Sequence, residues 1–181
     1  MSTKARKKIL AILGSTRKHS SNETILNFIA NKYKSIMELE IYNEIDQLPF
    51  FNPDTEDNLI SNEVCNFRSL IENSDGVIIC TPEYVFSIPG VLKNALEWTV
   101  STTVFSDKPV AVIVASGLGE KAFESLLLIM HTIQAKTDES TSLLINGARS
   151  KISNTGMLTD ELTIKEIDNL IQSFVLLIDK D

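Results

Sequence analysis

Short apolar runs alternate along this chain with longer stretches of helical periodicity. Residues 8–13 form a compact apolar run closed by Gly14, and residues 75–80 a second, closed by Thr81-Pro82. Residues 109–115 form a third, closed by Ser116-Gly117, and residues 141–145 a fourth, closed by Asn146-Gly147. Runs with no polar alternation suit parallel strands covered by helices on both faces. Residues 36–42 differ, because Leu39 and Ile41 alternate with Glu38 and Glu40. That pattern fits a half-covered strand near a sheet edge. Helices are predicted between the strands over 22–34, 59–72, 89–100, 121–136 and 163–178. Ile25, Leu26, Phe28 and Ile29 form one stripe of the first helix; Leu59, Ile60, Val64, Phe67 and Ile71 form one in the second. Pro89 stands at the favoured first position of the third helix, and residues 160–163 offer capping groups for the last. The order βαβαβαβαβα implies an α/β fold with a parallel sheet and right-handed crossovers, in one domain spanning 1–181.

Composition narrows the function classes. The 181 residues carry a formal net charge of −7, with 43% hydrophobic and 23% charged side chains. This is the make-up of an ordinary globular domain. The acidic balance argues against nucleic acid and anionic membranes as partners. Two cysteines, Cys65 and Cys80, cannot make a disulfide scaffold. No His and Cys pair has zinc-site spacing, so no metal is expected. With only His19 and His131, the chain is poor in groups that move protons or attack as nucleophiles. Neither cysteine opens a Cys-x5-Arg phosphatase loop: Ile71 follows Cys65 at that spacing, and Phe86 follows Cys80. His131 lies in an apolar helical stretch and reads as structural or interfacial. Lys4, Arg6, Lys7 and Lys8 precede apolar residues 9–13, which are too few for a signal peptide and fit a buried first strand. No run reaches the length of a membrane span. A cytoplasmic location is expected.

Ligands of open parallel sheets bind beyond the carboxyl ends of the strands, which directs attention to residues 14–22, 81–89, 116–120 and 146–149. The first segment runs Gly14-Ser15-Thr16-Arg17-Lys18-His19-Ser20-Ser21-Asn22. It offers hydroxyls, a guanidinium and a helix N-terminus, the parts that hold a phosphate. A capped turn with Arg17 in solvent is the plainer alternative. Neither Gly-x-Gly-x-x-Gly nor a P-loop pattern occurs anywhere. The second segment places Tyr84 and Phe86 between Pro82 and Pro89, where a flat ligand could rest. It also reads as a Pro-rich turn before an amphipathic helix, with Trp98 in the core. The stretch 43–58 is a long loop broken by Pro49 and Pro53.

The motif Gly14-Ser15-x-Arg17-x-x-Ser20-x-Asn22, followed by Pro82-Glu83-Tyr84-x-x-Ser87-x-Pro89-Gly90-x-Leu92-Lys93-Asn94-Ala95-x-Glu97-Trp98, resembles the NADPH-dependent FMN reductase family. The resemblance implies a flavodoxin-like three-layer sandwich with a five-stranded parallel sheet in order 2-1-3-4-5. It implies FMN as cofactor and NADPH or NADH as co-substrate. Hydride would pass to the flavin N5 and then to a quinone, azo compound, free flavin, metal oxyanion or similar acceptor by a ping-pong course, with no catalytic side chain. A non-catalytic FMN electron carrier or redox sensor is the alternative. By the same resemblance Ser15, Arg17, Ser20, Ser21 and Asn22 would hold the phosphate. Pro82, Glu83, Tyr84, Val85 and Phe86, with Ser116 and Gly117, would surround the isoalloxazine ring. Relatives of this kind form homodimers or homotetramers. Two departures stand out: Val85 replaces the usual Asn, and Ser116-Gly117-Leu118-Gly119-Glu120 replaces a run richer in glycine.

Overall fold

The computed structural model describes residues 5–55 and 59–180. Lys4 of the basic stretch, and Glu56, Asp57 and Asn58 of the long loop, lie outside the described residues. Five strands, β1 (Lys7–Leu13), β2 (Met37–Tyr42), β3 (Gly76–Thr81), β4 (Val110–Ser116) and β5 (Ser142–Asn146), alternate with five helices. The helices are α1 (Ser21–Lys32), α2 (Asn62–Glu72), α3 (Gly90–Glu97), α4 (Glu120–Thr132) and α5 (Glu161–Ile178). All pairings are parallel, in the order β2-β1-β3-β4-β5.

Side chains alternate across each strand, so the sheet divides the apolar residues into two cores. Leu10, Ile12, Val77, Ile79, Val112 and Val114 face α2, α3 and α4, where Phe67, Leu96 and Leu126 meet them. Ile9, Ala11, Ile78, Cys80, Ile113 and Ala115 face α1 and α5, against Ile25, Ile29, Ile171 and Phe174. The central strands β3 and β4 are buried on both faces, as their unbroken apolar runs require. The edge strand β2 keeps Glu38 exposed, as its alternation predicts. At the opposite edge, β5 is only half-covered at Ser142, Leu143 and Leu144 despite its apolar run, because it has a neighbour on one side alone.

Several helix ends differ from the sequence expectation. Helix α3 stops at Glu97, and Pro89 is its N-cap rather than its first residue. Helix α4 ends at Thr132, since Gln134 takes a left-handed φ of 62° that a helix cannot continue through. Helix α5 begins two residues before Thr163, because the Asp160 carboxylate accepts the Thr163 N–H and supplies the cap.

The end of β1 lies close to the end of β3. A Cβ on Gly14 would lie 2.4 Å from Thr81 Oγ1 and 2.6 Å from Thr81 Cβ, so only glycine fits. The Gly14 N–H donates to the Cys80 carbonyl at 2.8 Å, which continues the strand pairing into the loop. Gly14→Ala should therefore destabilise the fold by about 1–3 kcal/mol through overpacking. A lowered thermal melting temperature in that variant is the expected reading; an unchanged one would place the two strand ends further apart.

Candidate functional site

One cavity of about 1080 Å³ opens at the carboxyl ends of the central strands. Ser15, Arg17, Ser20, Ser21 and Asn22 line it, together with Pro82, Tyr84, Ser116 and Gly117. The sequence expectation thus converges on one place from three separate loops. Glu83, Val85 and Phe86 do not line that cavity.

The loop before α1 is built around its N-terminus. Ser20 is the N-cap, its Oγ accepting the Glu23 N–H at 3.1 Å. Ser15 Oγ accepts the Arg17 N–H at 3.3 Å, and His19 reverses the chain with φ 55°. Asn22 is buried, and its side chain serves the framework. Its Nδ2 donates to the Ala115 carbonyl at 3.2 Å, and its Oδ1 accepts from the Cys80 thiol at 3.3 Å. Burial holds that thiol well above the ordinary cysteine range, so Cys80 stays protonated and is no nucleophile. Ser15 and Ser20 are also buried, while Arg17 is exposed and forms no ion pair among the described residues.

This arrangement fits an anionic group, and the structure holds a stand-in for one. The Glu23 carboxylate reaches back into the cavity wall and accepts the His19 N–H at 2.7 Å. A carboxylate at a helix N-terminus is favoured by the same dipole that would favour a phosphate, here with the His19 N–H as its donor. Arg149 also lines the cavity, exposed and likewise without an ion-pair partner among the described residues. It follows Gly147, whose left-handed φ of 63° turns the chain out of β5.

The loop after β3 has a different construction. Tyr84 and Ser87 exchange both backbone hydrogen bonds, at 2.9 and 3.1 Å, across a two-residue turn. Val85 and Phe86 form the turn with φ of 52° and 55°. Such turns ordinarily carry Asn-Gly, since both central residues need positive φ. A β-branched residue there is strained. Neither side chain gains packing in return, at 96% and 72% exposure. Glu83 turns away from the cavity toward α4, where its carboxylate accepts the Lys121 and Ala122 N–H groups, each at 2.9 Å. The N-cap of α4 is Gly119, which has no capping side chain, so Glu83 supplies the cap from another loop.

The rest of the second motif holds the scaffold. Asn94 Oδ1 accepts the Phe51 N–H at 2.8 Å, and Trp98 Nε1 donates to the Pro49 carbonyl at 2.7 Å, which fastens the loop after β2 to α3. Lys93 and Glu97 pair with each other on the helix surface. His131 is exposed in the last turn of α4, and His19 is exposed in the loop. Among the described residues no three His, Cys, Asp or Glu side chains cluster as a metal site, and no helix is long and apolar enough to cross a membrane.

Sequence reasoning reached residues 146–149 as a loop of interest, but it passed over residues 152–158. That segment, with Asn27, Phe28 and Asn31 of α1, forms the far part of the cavity. The available signal was the Ser153-Asn154-Thr155-Gly156 turn chemistry between β5 and α5.

The strained turn yields a stability prediction. Asn tolerates the left-handed region, so Val85→Asn should stabilise the fold by about 1 kcal/mol. At this size that is a melting temperature raised by about 2–4 °C. An unchanged or lower value would mean that Val85 makes contacts in solution that compensate the backbone.

Comparison with known proteins places this geometry in a family. The profile of the family described as NADPH-dependent FMN reductase matches residues 7–149. The NADH:(hydroxy)cinnamate reductase subunit CrdA of Vibrio ruber is 35% identical over 173 residues, covering 92% of this chain and 85% of its own. The NADH-dependent flavin reductase subunit 2 of Lactobacillus johnsonii is 34% identical over 185 residues, covering 96% and 98%. Among solved structures, the flavoenzyme NAD(P)H:(acceptor) oxidoreductase FerB of Paracoccus denitrificans superposes with a TM-score of 0.77 at 26% identity. It covers 96% of this chain and 98% of its own. A parallel β2-β1-β3-β4-β5 sheet with a serine- and arginine-bearing loop after β1 and a strained aromatic turn after β3 is accounted for by descent: this chain belongs to the NADPH-dependent FMN reductase family.

Proposed function

We propose that this chain is an FMN-dependent NAD(P)H oxidoreductase whose cavity residues hold the flavin by its phosphate. The observation that carries this reading is one cavity joining the cradle of Ser15, Arg17 and Ser20 to Pro82 and Tyr84. When bound, FMN supplies the two-electron redox chemistry between NAD(P)H and the acceptor. The protein's part is binding and orientation. The Ser15 and Ser20 hydroxyls, the free N–H groups of the first turn of α1 and the Arg17 guanidinium hold the phosphate. Pro82, Tyr84, Ser116 and Gly117 give the ring two walls, and Val85 and Phe86 offer apolar surface beyond the cavity. Asn22 positions the first turn instead of touching the flavin through its side chain.

The proposed acceptor is a quinone, azo compound, free flavin, metal oxyanion or comparable small molecule. The exposed side chains of Val85, Phe86 and Leu118 support self-association into a homodimer or homotetramer. A monomer by light scattering would contradict that. The proposed location is the cytoplasm, whose reducing conditions suit two free thiols, Cys65 and Cys80. A second reading has its own support, since two relatives are named as subunits: electrons would leave to a partner protein.

An anaerobic visible spectrum tests the function. The FMN-loaded protein should bleach when NADPH or NADH is added and recover its bands with excess quinone. Bands that bleach but recover only with a protein partner favour the second reading, and bands that persist exclude the reductase. Two substitutions test the cradle. Loss of a charge-assisted hydrogen bond in Arg17→Ala should weaken FMN about ten- to a hundredfold. Glu23→Gln removes the competing carboxylate and should tighten FMN by about three- to tenfold. Equilibrium dialysis reads both; opposite or absent effects would remove the phosphate from this loop.

A further inference from the structure

The cavity continues past the cradle. On one wall it follows α1 from Ser21 through Asn27 and Phe28 to Asn31. Ten residues of helix advance about 15 Å. On the other wall it follows the segment after β5 from Arg149 to Leu158. With a flavin phosphate at the first turn of α1 and its ring toward Pro82 and Tyr84, this groove lies beyond the phosphate. A flavin mononucleotide has no atoms to put there.

The groove is built for a flat base with a polar edge. The exposed Met157 thioether offers apolar surface for stacking, and the half-buried Phe28 ring, with the Lys32 ammonium 5.3 Å over its centroid, adds an apolar edge beside a cation. Asn31 Nδ2 donates to the Asn27 carbonyl at 2.9 Å, which orients the amide and leaves its Oδ1 as an acceptor, the partner an exocyclic amine needs. The facing wall is held in shape before any ligand arrives. Ile152 bridges Leu158, the Ser153 N–H donates to the Met157 carbonyl at 2.8 Å, and Gly156 turns with φ 77°. Lys151 ties this hairpin to the Asp160 carboxylate at 3.1 Å. Such a preformed wall reduces the ordering cost of binding. Arg17 and Arg149 both line the cavity, two exposed guanidiniums for two phosphoryl groups.

We propose that this groove takes an adenosine monophosphate moiety joined to the flavin phosphate, so that the chain binds FAD as well as FMN. The proposal rests on the reading of residues 15–22 as the flavin phosphate cradle. NADH carries the same moiety, but its nicotinamide must lie against the flavin ring, whereas the groove opens from the cradle.

Fluorescence titration of the full chain, freed of flavin, with FMN and with FAD tests it. Asn31→Trp fills the groove from an exposed helix position, and Arg149→Ala removes the far guanidinium without crowding, should the first variant fail to fold. FAD should bind the wild type within about tenfold of FMN, and Asn31→Trp should weaken FAD by at least about tenfold while FMN changes by less than about twofold. Arg149→Ala should also weaken FAD more than FMN. Failure of FAD to bind, or equal responses of the two flavins, overturns the proposal. So does an Asn31→Trp protein with unchanged FAD affinity and a raised KM for NADH, which would give the groove to the pyridine nucleotide. If neither flavin binds the wild type, the cradle reading itself fails and takes the proposal with it.

Discussion

The site depends on one buried amide. Asn22 stands in the first turn of α1, yet its side chain is spent on the sheet: it donates to the Ala115 carbonyl of β4 and accepts from the Cys80 thiol of β3. Both partners are buried, so loss of either contact would strand a polar group in a dry setting. The amide therefore fixes where the N-terminus of α1 sits relative to two strand ends. Gly14 allows the same approach from the β1 side, because any side chain there would strike Thr81. Together they set the floor on which Ser15, Arg17 and Ser20 present their donors. As the proposed phosphate cradle, this loop would bind through preorganisation, since its hydroxyls and N–H groups need little rearrangement to meet an anion.

Around that floor the loops are held by side chains borrowed from elsewhere. Glu83 leaves the ring side of the cavity to cap α4, which ties the loop after β3 to the loop after β4. The Gly147 N–H donates to the Gly117 carbonyl at 3.1 Å and joins the loop after β4 to that after β5. These contacts link the loops after β3, β4 and β5 in succession. The weak point is the Val85-Phe86 turn, where two consecutive left-handed residues carry apolar side chains into solvent. Strain kept with no packing in return is a common mark of a functional surface.

Much of the architecture was legible in residue pattern. The unbroken apolar runs of β3 and β4 and the Glu-interrupted β2 place those strands correctly in centre and edge, because side-chain period reports directly on burial. The run at β5 misleads, since an apolar edge strand in a parallel sheet looks like a central one. Helix ends were less legible because they depend on caps such as Asp160 and on single left-handed residues such as Gln134. At the site, the loops after β1 and β3 were visible as motifs. The part played by Glu83 was not, because its partners lie 38 and 39 positions away. The hairpin at 152–158 reads as an ordinary polar connection, and its place in the cavity arises only when β5 and α5 set it opposite α1.

The claim under all of this is that residues 14–22 hold a phosphate. Comparing FMN with riboflavin, which has the same ring and no phosphate, tests it most directly. Charge-assisted hydrogen bonds from Arg17 and the first turn of α1 should make FMN bind at least about a hundredfold more tightly. Equal affinity for the two flavins would contradict the account.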